Sequence, residues 1–333
     1  MNRKSKIIGW TLLLLLAYCM LGAVVFFASL LTLQKKVQLD VPWVAAAQKS
    51  MYRRGMVGAG SWLAQPGCIV PDPDLIYQPA MGTCAFDDIE FKTTLSFTAD
   101  GRNTGPKPAG TGIAVIGDSH AMGWGVNDLD TFSAQLQKLS GRPVYNLGVA
   151  SYGTAREVIR LEKSGLLSRV DTVVIQYCNN DRNENLQFDQ ASREELAKRV
   201  FEPGEVAPAV QPGKLAFIAK GYGLTLAAPF RSLSEQLRRK NFTPHYEPFM
   251  AMLEKHRAAL EGKRIVVFYS NPYGQRYRNF PVGPDGRMGN VHFADLDLDR
   301  SLYRQLDNHL TPQGHKVVAE RLWKYLDSPQ TSP

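Results

Sequence analysis

A serine nucleophile needs a base within hydrogen-bond reach, and that base needs an acceptor to orient its ring. The stretch Gly117-Asp118-Ser119-His120 places a serine directly after the apolar run Ile113 to Ile116. Near the C-terminus, Asp307-Asn308-His309 offers an imidazole with a carboxylate two residues earlier. Two more blocks, Asn146-Leu147-Gly148 and Asn179-Asn180-Asp181, also close apolar runs. A carbonyl under attack develops an oxyanion that needs donors. The backbone N–H groups of Ser119 and Gly148 and the Asn180 side-chain amide can supply them, each such donor contributing roughly 3–4 kcal/mol to lowering the barrier. Glycine at 148 fits a backbone that approaches the substrate closely. These residue types point to acyl transfer through Ser119, with His309 as base and Asp307 holding its ring. Asp118 and Asp181 are supporting residues that brace the loops.

The elements that would position these blocks read as α/β. Ile113 to Ile116 is a continuous apolar run, as expected of a strand buried on both faces. Thr131 to Leu139 has helical spacing, "RPVYNLGV" is a second strand, and "TAREVIRLEKSGLL" is a helix. "VDTVVIQYC" and "KRIVVFYSNP" are a third and fourth strand, and Pro312 to Leu326 is a last amphipathic helix with proline at its start. Strands separated by helices imply parallel pairing with right-handed crossovers. Ligands of such a sheet bind beyond the carboxyl ends of its strands, which is where all four polar blocks fall. Residues 182–262 form a long insertion between the third and fourth strands, with helix-like ends and a less regular middle over 202–229. It is not notably apolar, which argues against a long-chain lipid substrate.

Ser119, Gly148, Asn180 and His309, in this order and each close to an element end, resemble the SGNH hydrolases, also called the GDSL-type esterase/lipase superfamily. "GDSHAMGWGV" and "DNHLTPQGH" look like the membrane-tethered, extracytoplasmic members. The resemblance covers roughly residues 112–326. It implies a flavodoxin-like three-layer α/β/α fold around a central parallel sheet, ester hydrolysis or acyl transfer, and neither a metal nor an organic cofactor. Three positions depart from the family pattern. Cys178 stands where glycine is usual, and His120 follows the serine where Leu or Phe is usual. Leu306 occupies the customary place of the closing Asp, so Asp307 forms an Asp-x-His spacing similar to that of polysaccharide O-acetyltransferases of related fold.

The remainder of the chain sets the context. It has 333 residues, 44% hydrophobic and 21% charged, with a formal net charge of +8. That composition supports a sizeable core and excludes wholesale disorder. Ile7 to Leu33 carries no charge and exceeds the ~20 residues that cross a bilayer. It is too long for a cleaved signal peptide, so it reads as a retained single-pass anchor. Arg3, Lys4, Lys6, Lys35 and Lys36 flank it and account for much of the basic balance; no nucleic-acid motif is present. Cys68 and Cys84 lie in a Pro/Gly-rich stretch and read as a disulfide staple, hence an oxidising compartment. The expected organisation is a cytoplasmic N-terminus and anchor over residues 1–36. A membrane-proximal and β-rich lead-in covers 37–110 and packs on the main domain, with "GRNTGPKPAGTG" as an exposed connection. A hydrolase-like domain covers 111–330. In a bacterium that domain would face the periplasm from the inner membrane.

The expected function is a serine-dependent ester hydrolase or O-acyltransferase outside the cytoplasm, acting on a small ester or an acylated glycan or surface polymer. The rival is a non-catalytic carbohydrate-binding or polysaccharide-assembly module using the same cleft. Protein partners are not readable. His315 reads as a surface or packing residue, Cys178 as a small buried one, and His245, His256 and His292 as scattered surface residues without metal-ligand spacing.

Overall fold

The computed structural model describes residues 3–58, 62–199, 213–238, 245–270, 272 and 280–328. Two helices open the chain, α1 (Arg3–Gln34) and α2 (Pro42–Arg53). A small antiparallel hairpin follows, β1 (Ile69–Asp72) and β2 (Ile76–Pro79). Next come β3 (Gly82–Asp87), β4 (Lys92–Thr98) and β5 (Gly101–Arg102). The α/β region runs β6 (Gly112–Gly117), α3 (Ser119–Met122), α4 (Phe132–Ser140), β7 (Val144–Asn146), α5 (Thr154–Lys163) and β8 (Val170–Tyr177). The helices α6 (Asp181–Gln190), α7 (Arg193–Ala197), α8 (Lys214–Arg238), α9 (Tyr246–Lys255) and α10 (Arg257–Leu260) follow. The chain closes with β9 (Arg264–Tyr269), β10 (Gly283–Pro284), β11 (Val291–Ala294) and α11 (Pro312–Asp327).

One nine-stranded sheet has the order β10-β11-β9-β8-β6-β7-β5-β4-β3. Its centre, β11-β9-β8-β6-β7, is parallel throughout. Counted in chain order, those strands lie 2-1-3-4-5, the flavodoxin-like order whose switch point flanks the first strand. Successive side chains of a strand face opposite sides of the sheet. Ala114 and Ile116 accordingly pack with Val158 and Leu161 of α5 and Phe249 and Leu253 of α9. Ile113 and Val115 pack with Phe132 and Leu136 of α4 and Val318 and Leu322 of α11. Two helical layers therefore cover one sheet, as the apolar runs require.

The β-rich lead-in differs from expectation in one respect. Beyond the small β1–β2 hairpin, which forms its own sheet, β3, β4 and β5 extend the central sheet as an antiparallel edge. The start of "GRNTGPKPAGTG" is correspondingly buried: Arg102 is 1% exposed. Its guanidinium donates to the carbonyls of Met122 at 2.5 Å, Gly123 at 2.6 Å and Val126 at 2.6 Å, and its Nε to Asp128 at 3.1 Å. Cys68 and Cys84 are joined in a disulfide.

α1 is long and apolar enough to cross a membrane. Its C-terminal half packs on α2 and α8, with Gly22, Val25, Phe26, Ser29 and Leu33 buried. α8 carries no charge from Gly221 to Phe230. This apolar run within the insertion is matched to α1: the Tyr18 hydroxyl donates to the Leu226 carbonyl at 2.5 Å and that of Tyr222 to the Cys19 carbonyl at 2.8 Å. Of the insertion's less regular middle, residues 202–212 lie outside the described residues and 214–229 belong to α8.

Candidate active site

At the end of β6 the chain turns sharply into α3. Gly117 has φ +149°, and a Cβ there would lie 2.6 Å from that of Ala121 and 2.8 Å from the Gln176 carbonyl. The turn is held from several sides. The Asp118 carboxylate accepts from the His120 N–H at 2.9 Å, and Gln176 Oε1 from the Ala121 N–H at 3.0 Å. Asn146 Nδ2 donates to the Ala121 carbonyl at 2.9 Å. Ser119, partly exposed, is fixed beyond the sheet edge with its backbone N–H at the orphan N-terminus of a short helix.

The loop before α11 meets it. Ser119 Oγ lies 2.6 Å from His309 Nε2, and His309 Nδ1 lies 2.7 Å from Asp307 Oδ2. An ionised carboxylate only accepts, so it fixes the ring proton on Nδ1 and leaves Nε2 to accept from the serine. The two-residue spacing closes because Asn308 adopts φ +65°, a left-handed turn that Asn tolerates better than most residues. Leu306, three residues before His309, is instead 3% exposed and packs with Phe26, Leu33 and Met51.

Burial opposes a charge on His309, but the Asp307 carboxylate and its hydrogen bond outweigh burial and hold the imidazole above its ordinary value. Burial likewise pushes Asp307 up. The neighbouring His309, the Tyr52 hydroxyl and Arg304 outweigh it and hold the carboxyl below its usual range. A base must be neutral to accept a proton. Activity through this pair should therefore fall with decreasing pH from above the ordinary histidine value of 6.5. A kcat/KM profile reads that acidic limb directly.

His120 turns into the body. Its Nδ1 lies 3.1 Å from Ser270 Oγ, and its ring stacks obliquely on His309 with centroids 4.7 Å apart. Burial, with the nearby His309, lowers it to about 4, so only one of the two imidazoles charges in the neutral range.

Gly148 lies beside α3, and a Cβ there would sit 2.4 Å from the Met122 nitrogen and 2.7 Å from the Ala121 carbonyl carbon. The glycine is required by the approach of the turn at Ser119, where the sequence alone suggests an approach to substrate. Its N–H donates to Asn146 Oδ1 at 3.0 Å, so this donor is engaged in the described geometry. Gly148→Ala should displace the turn and lower kcat by at least about tenfold, measured beside the melting temperature, because backbone atoms cannot yield to a Cβ.

Asn180 is exposed at the start of α6, after β8. Behind it, Asp118, Cys178 and Asp181 are all buried with their ligand atoms close together. Their proximity has an internal cause: the Cys178 thiol donates to Asp118 Oδ2 at 2.8 Å, and its N–H to Asp181 Oδ2 at 3.1 Å. Burial, then Asp118, pushes the Cys178 thiol well up, so it stays protonated and is no thiolate nucleophile. His315 is 1% exposed and its Nδ1 accepts from the Phe132 N–H, a packing role. His245, read as a surface residue in sequence, is 8% exposed with its Nδ1 3.0 Å from the Tyr177 hydroxyl.

Two residues absent from the sequence reading reach the site from the lead-in. The Glu90 carboxylate accepts from the backbone N–H groups of Gln305 at 2.9 Å, Leu306 at 3.0 Å and Asp307 at 2.7 Å. The Tyr52 hydroxyl of α2 donates to Asp307 Oδ1 at 3.1 Å. Neither sits in a motif, and both lie far along the chain from the residues they touch.

No family model matches the chain, and no curated protein matches it. The chain is similar to a G-D-S-L family protein from Desulfitobacterium hafniense DCB-2, at 16% identity and a TM-score of 0.34, over 64% of this chain and 98% of that one. It is similar to TesA at 17% identity and a TM-score of 0.35, over 65% and 98%. It is also similar to a carbohydrate esterase family 2 enzyme with its carbohydrate-binding domain from Corynascus thermopiles (Myceliophthora fergusii). That likeness has 12% identity and a TM-score of 0.34, over 68% of each chain.

Proposed function

We propose that this chain is a serine-dependent ester hydrolase or O-acyltransferase, anchored by α1 in the inner membrane of a bacterium with its sheet domain outside the cytoplasm. The observation that carries the reading is the hydrogen-bonded series Ser119, His309 and Asp307. A merely structural serine gains nothing from an imidazole whose far nitrogen is held by a partly buried carboxylate. The same series favours catalysis over the non-catalytic binding reading.

In this mechanism Ser119 Oγ attacks the ester carbonyl as His309 Nε2 takes its proton. The imidazolium so formed is stabilised by Asp307. The negative oxygen of the tetrahedral intermediate is met by the Ser119 N–H and the Asn180 side-chain amide, with the Gly148 N–H available once it releases Asn146 Oδ1. Collapse expels the alcohol, which takes its proton from His309, and leaves the acyl group on Ser119. Water, or a sugar hydroxyl, then attacks the acyl-enzyme with His309 again as base. None of these steps calls on a metal or organic cofactor.

Acyl esters of a carbohydrate or surface polymer are the proposed substrate class. The disulfide and the anchor support placement at an extracytoplasmic surface where such polymers are handled. The test is acetate release by the full chain, in detergent or reconstituted, from a short-chain aryl acetate and from an acetylated oligosaccharide. Transfer to an added unacetylated oligosaccharide, followed by mass, separates transferase from hydrolase. Failure to release or transfer acetate from either donor would overturn the reading.

A further inference from the structure

We infer that the segment joining the anchor helix to the sheet is a working part of this active site, with Glu90 and Tyr52 as positioning residues that hold Asp307 and, through it, His309. The inference rests on the serine-hydrolase reading above.

Glu90 accepts from three successive backbone N–H groups, those of Gln305, Leu306 and Asp307. A carboxylate suits this task because it offers lone pairs on two oxygens and carries no hydrogen of its own. Tyr52 donates to the Asp307 oxygen that His309 does not use. Both the backbone of the acid and its second oxygen are thus fixed from outside their own loop. The need arises from the spacing: Asp-x-His closes through a left-handed Asn308, a conformation seldom adopted by an unconstrained chain.

The braces are themselves tied to the anchor. Gln38 Nε2 donates to Glu90 Oε1 at 2.7 Å, Lys36 Nζ to the Asp88 carbonyl at 3.0 Å, and Lys49 Nζ to Asn308 Oδ1 at 3.2 Å. Leu306 packs with Phe26 and Leu33 of α1 and Met51 of α2. The Arg304 guanidinium donates to the Glu90 carbonyl at 2.6 Å and the Gly125 carbonyl at 2.7 Å, joining the brace to the turn that follows the nucleophile. Ser119 and His309 come from the α/β region, but the groups that set the acid come from residues 36–90. The anchor segment is therefore more than a tether.

The experiment compares full-length protein in detergent carrying Glu90→Gln, Glu90→Ala or Tyr52→Phe, with Ser119→Ala as reference, on a short-chain aryl ester. Tyr52→Phe should lower kcat by about tenfold, the scale of one hydrogen bond to a charged group. Glu90→Gln should lower it further and Glu90→Ala most, with KM unchanged, the result of side chains that act through Asp307. In the Glu90 variants the acidic limb of kcat/KM should move to lower pH, since a loosened Asp307 supports less charge on His309. A purely structural role would leave that limb in place.

Wild-type kcat and an unmoved limb in Glu90→Gln and Tyr52→Phe would overturn the inference, as would a raised KM at constant kcat. Both variants keep side-chain volume, so they decide the matter even if Glu90→Ala fails to fold. Loss of turnover in Ser119→Ala beside unaffected Glu90 and Tyr52 variants removes this inference alone. Full turnover in Ser119→Ala removes the serine reading and this inference with it.

Discussion

Ser119→Ala should abolish ester turnover, lowering kcat by about four orders of magnitude or more while leaving the protein folded. Ser119 Oγ is the group 2.6 Å from His309 Nε2, so in the proposed mechanism its removal leaves the base without a nucleophile to activate. Residual catalysis would come only from donors that still bind the carbonyl oxygen, which explains why triad deletions fall to a floor above the uncatalysed rate. Stability should hardly change. The turn is capped by Asp118 and held by Gln176 and Asn146, none of which uses the serine hydroxyl. Turnover and melting temperature measured on one preparation separate the two effects.

Asp307→Asn should cost almost as much, again about 10⁴-fold in kcat, with little loss of fold. An amide placed there can turn its NH2 toward His309 Nδ1 and force the ring proton onto Nε2, the atom that must accept from Ser119. The same substitution removes the charge that raises His309, so whatever activity remains should show an acidic limb at lower pH than wild type. Adding Leu306→Asp to this variant should not restore activity, although it supplies an acid at the spacing usual in the resembled family. Leu306 is 3% exposed among Phe26, Leu33 and Met51, where a carboxylate would be desolvated and misdirected. Steady-state kinetics of the single and double variants check both statements.

Much of this arrangement is legible in the sequence. The strands ending at Gly117, Asn146 and Tyr177 hold continuous apolar stretches, Ile113 to Ile116, Val144-Tyr145 and Val173 to Ile175, which mark strands covered on both faces, and their ends place three of the polar blocks at one sheet edge. Ser119 follows from that placement, and His309 from the polar block just before the last helix. Asp307 is harder to read, because its reach depends on the left-handed Asn308, a backbone state that spacing does not encode. The reason for Gly148 is also hidden, since only the packed turn shows that Met122 and Ala121 leave no room for a Cβ. Glu90, Tyr52 and Arg102 are out of reach for a different reason. Each acts on backbone or side-chain groups distant in sequence, and an isolated acid, tyrosine or arginine has no periodicity that reveals its partner. The short β5, two residues beside a glycine turn, carries too little pattern to be seen as part of the central sheet.

The proposed mechanism stands on Ser119 as an activated nucleophile. The most direct measurement is treatment of the full-length protein with a fluorophosphonate probe, followed by digestion and mass analysis of the labelled peptide. A single adduct on Ser119, absent from Ser119→Ala and strongly slowed in Asp307→Asn, is the predicted result. A protein that stays unlabelled while folded, or one that carries its adduct on another side chain with Ser119 unmodified, would contradict it.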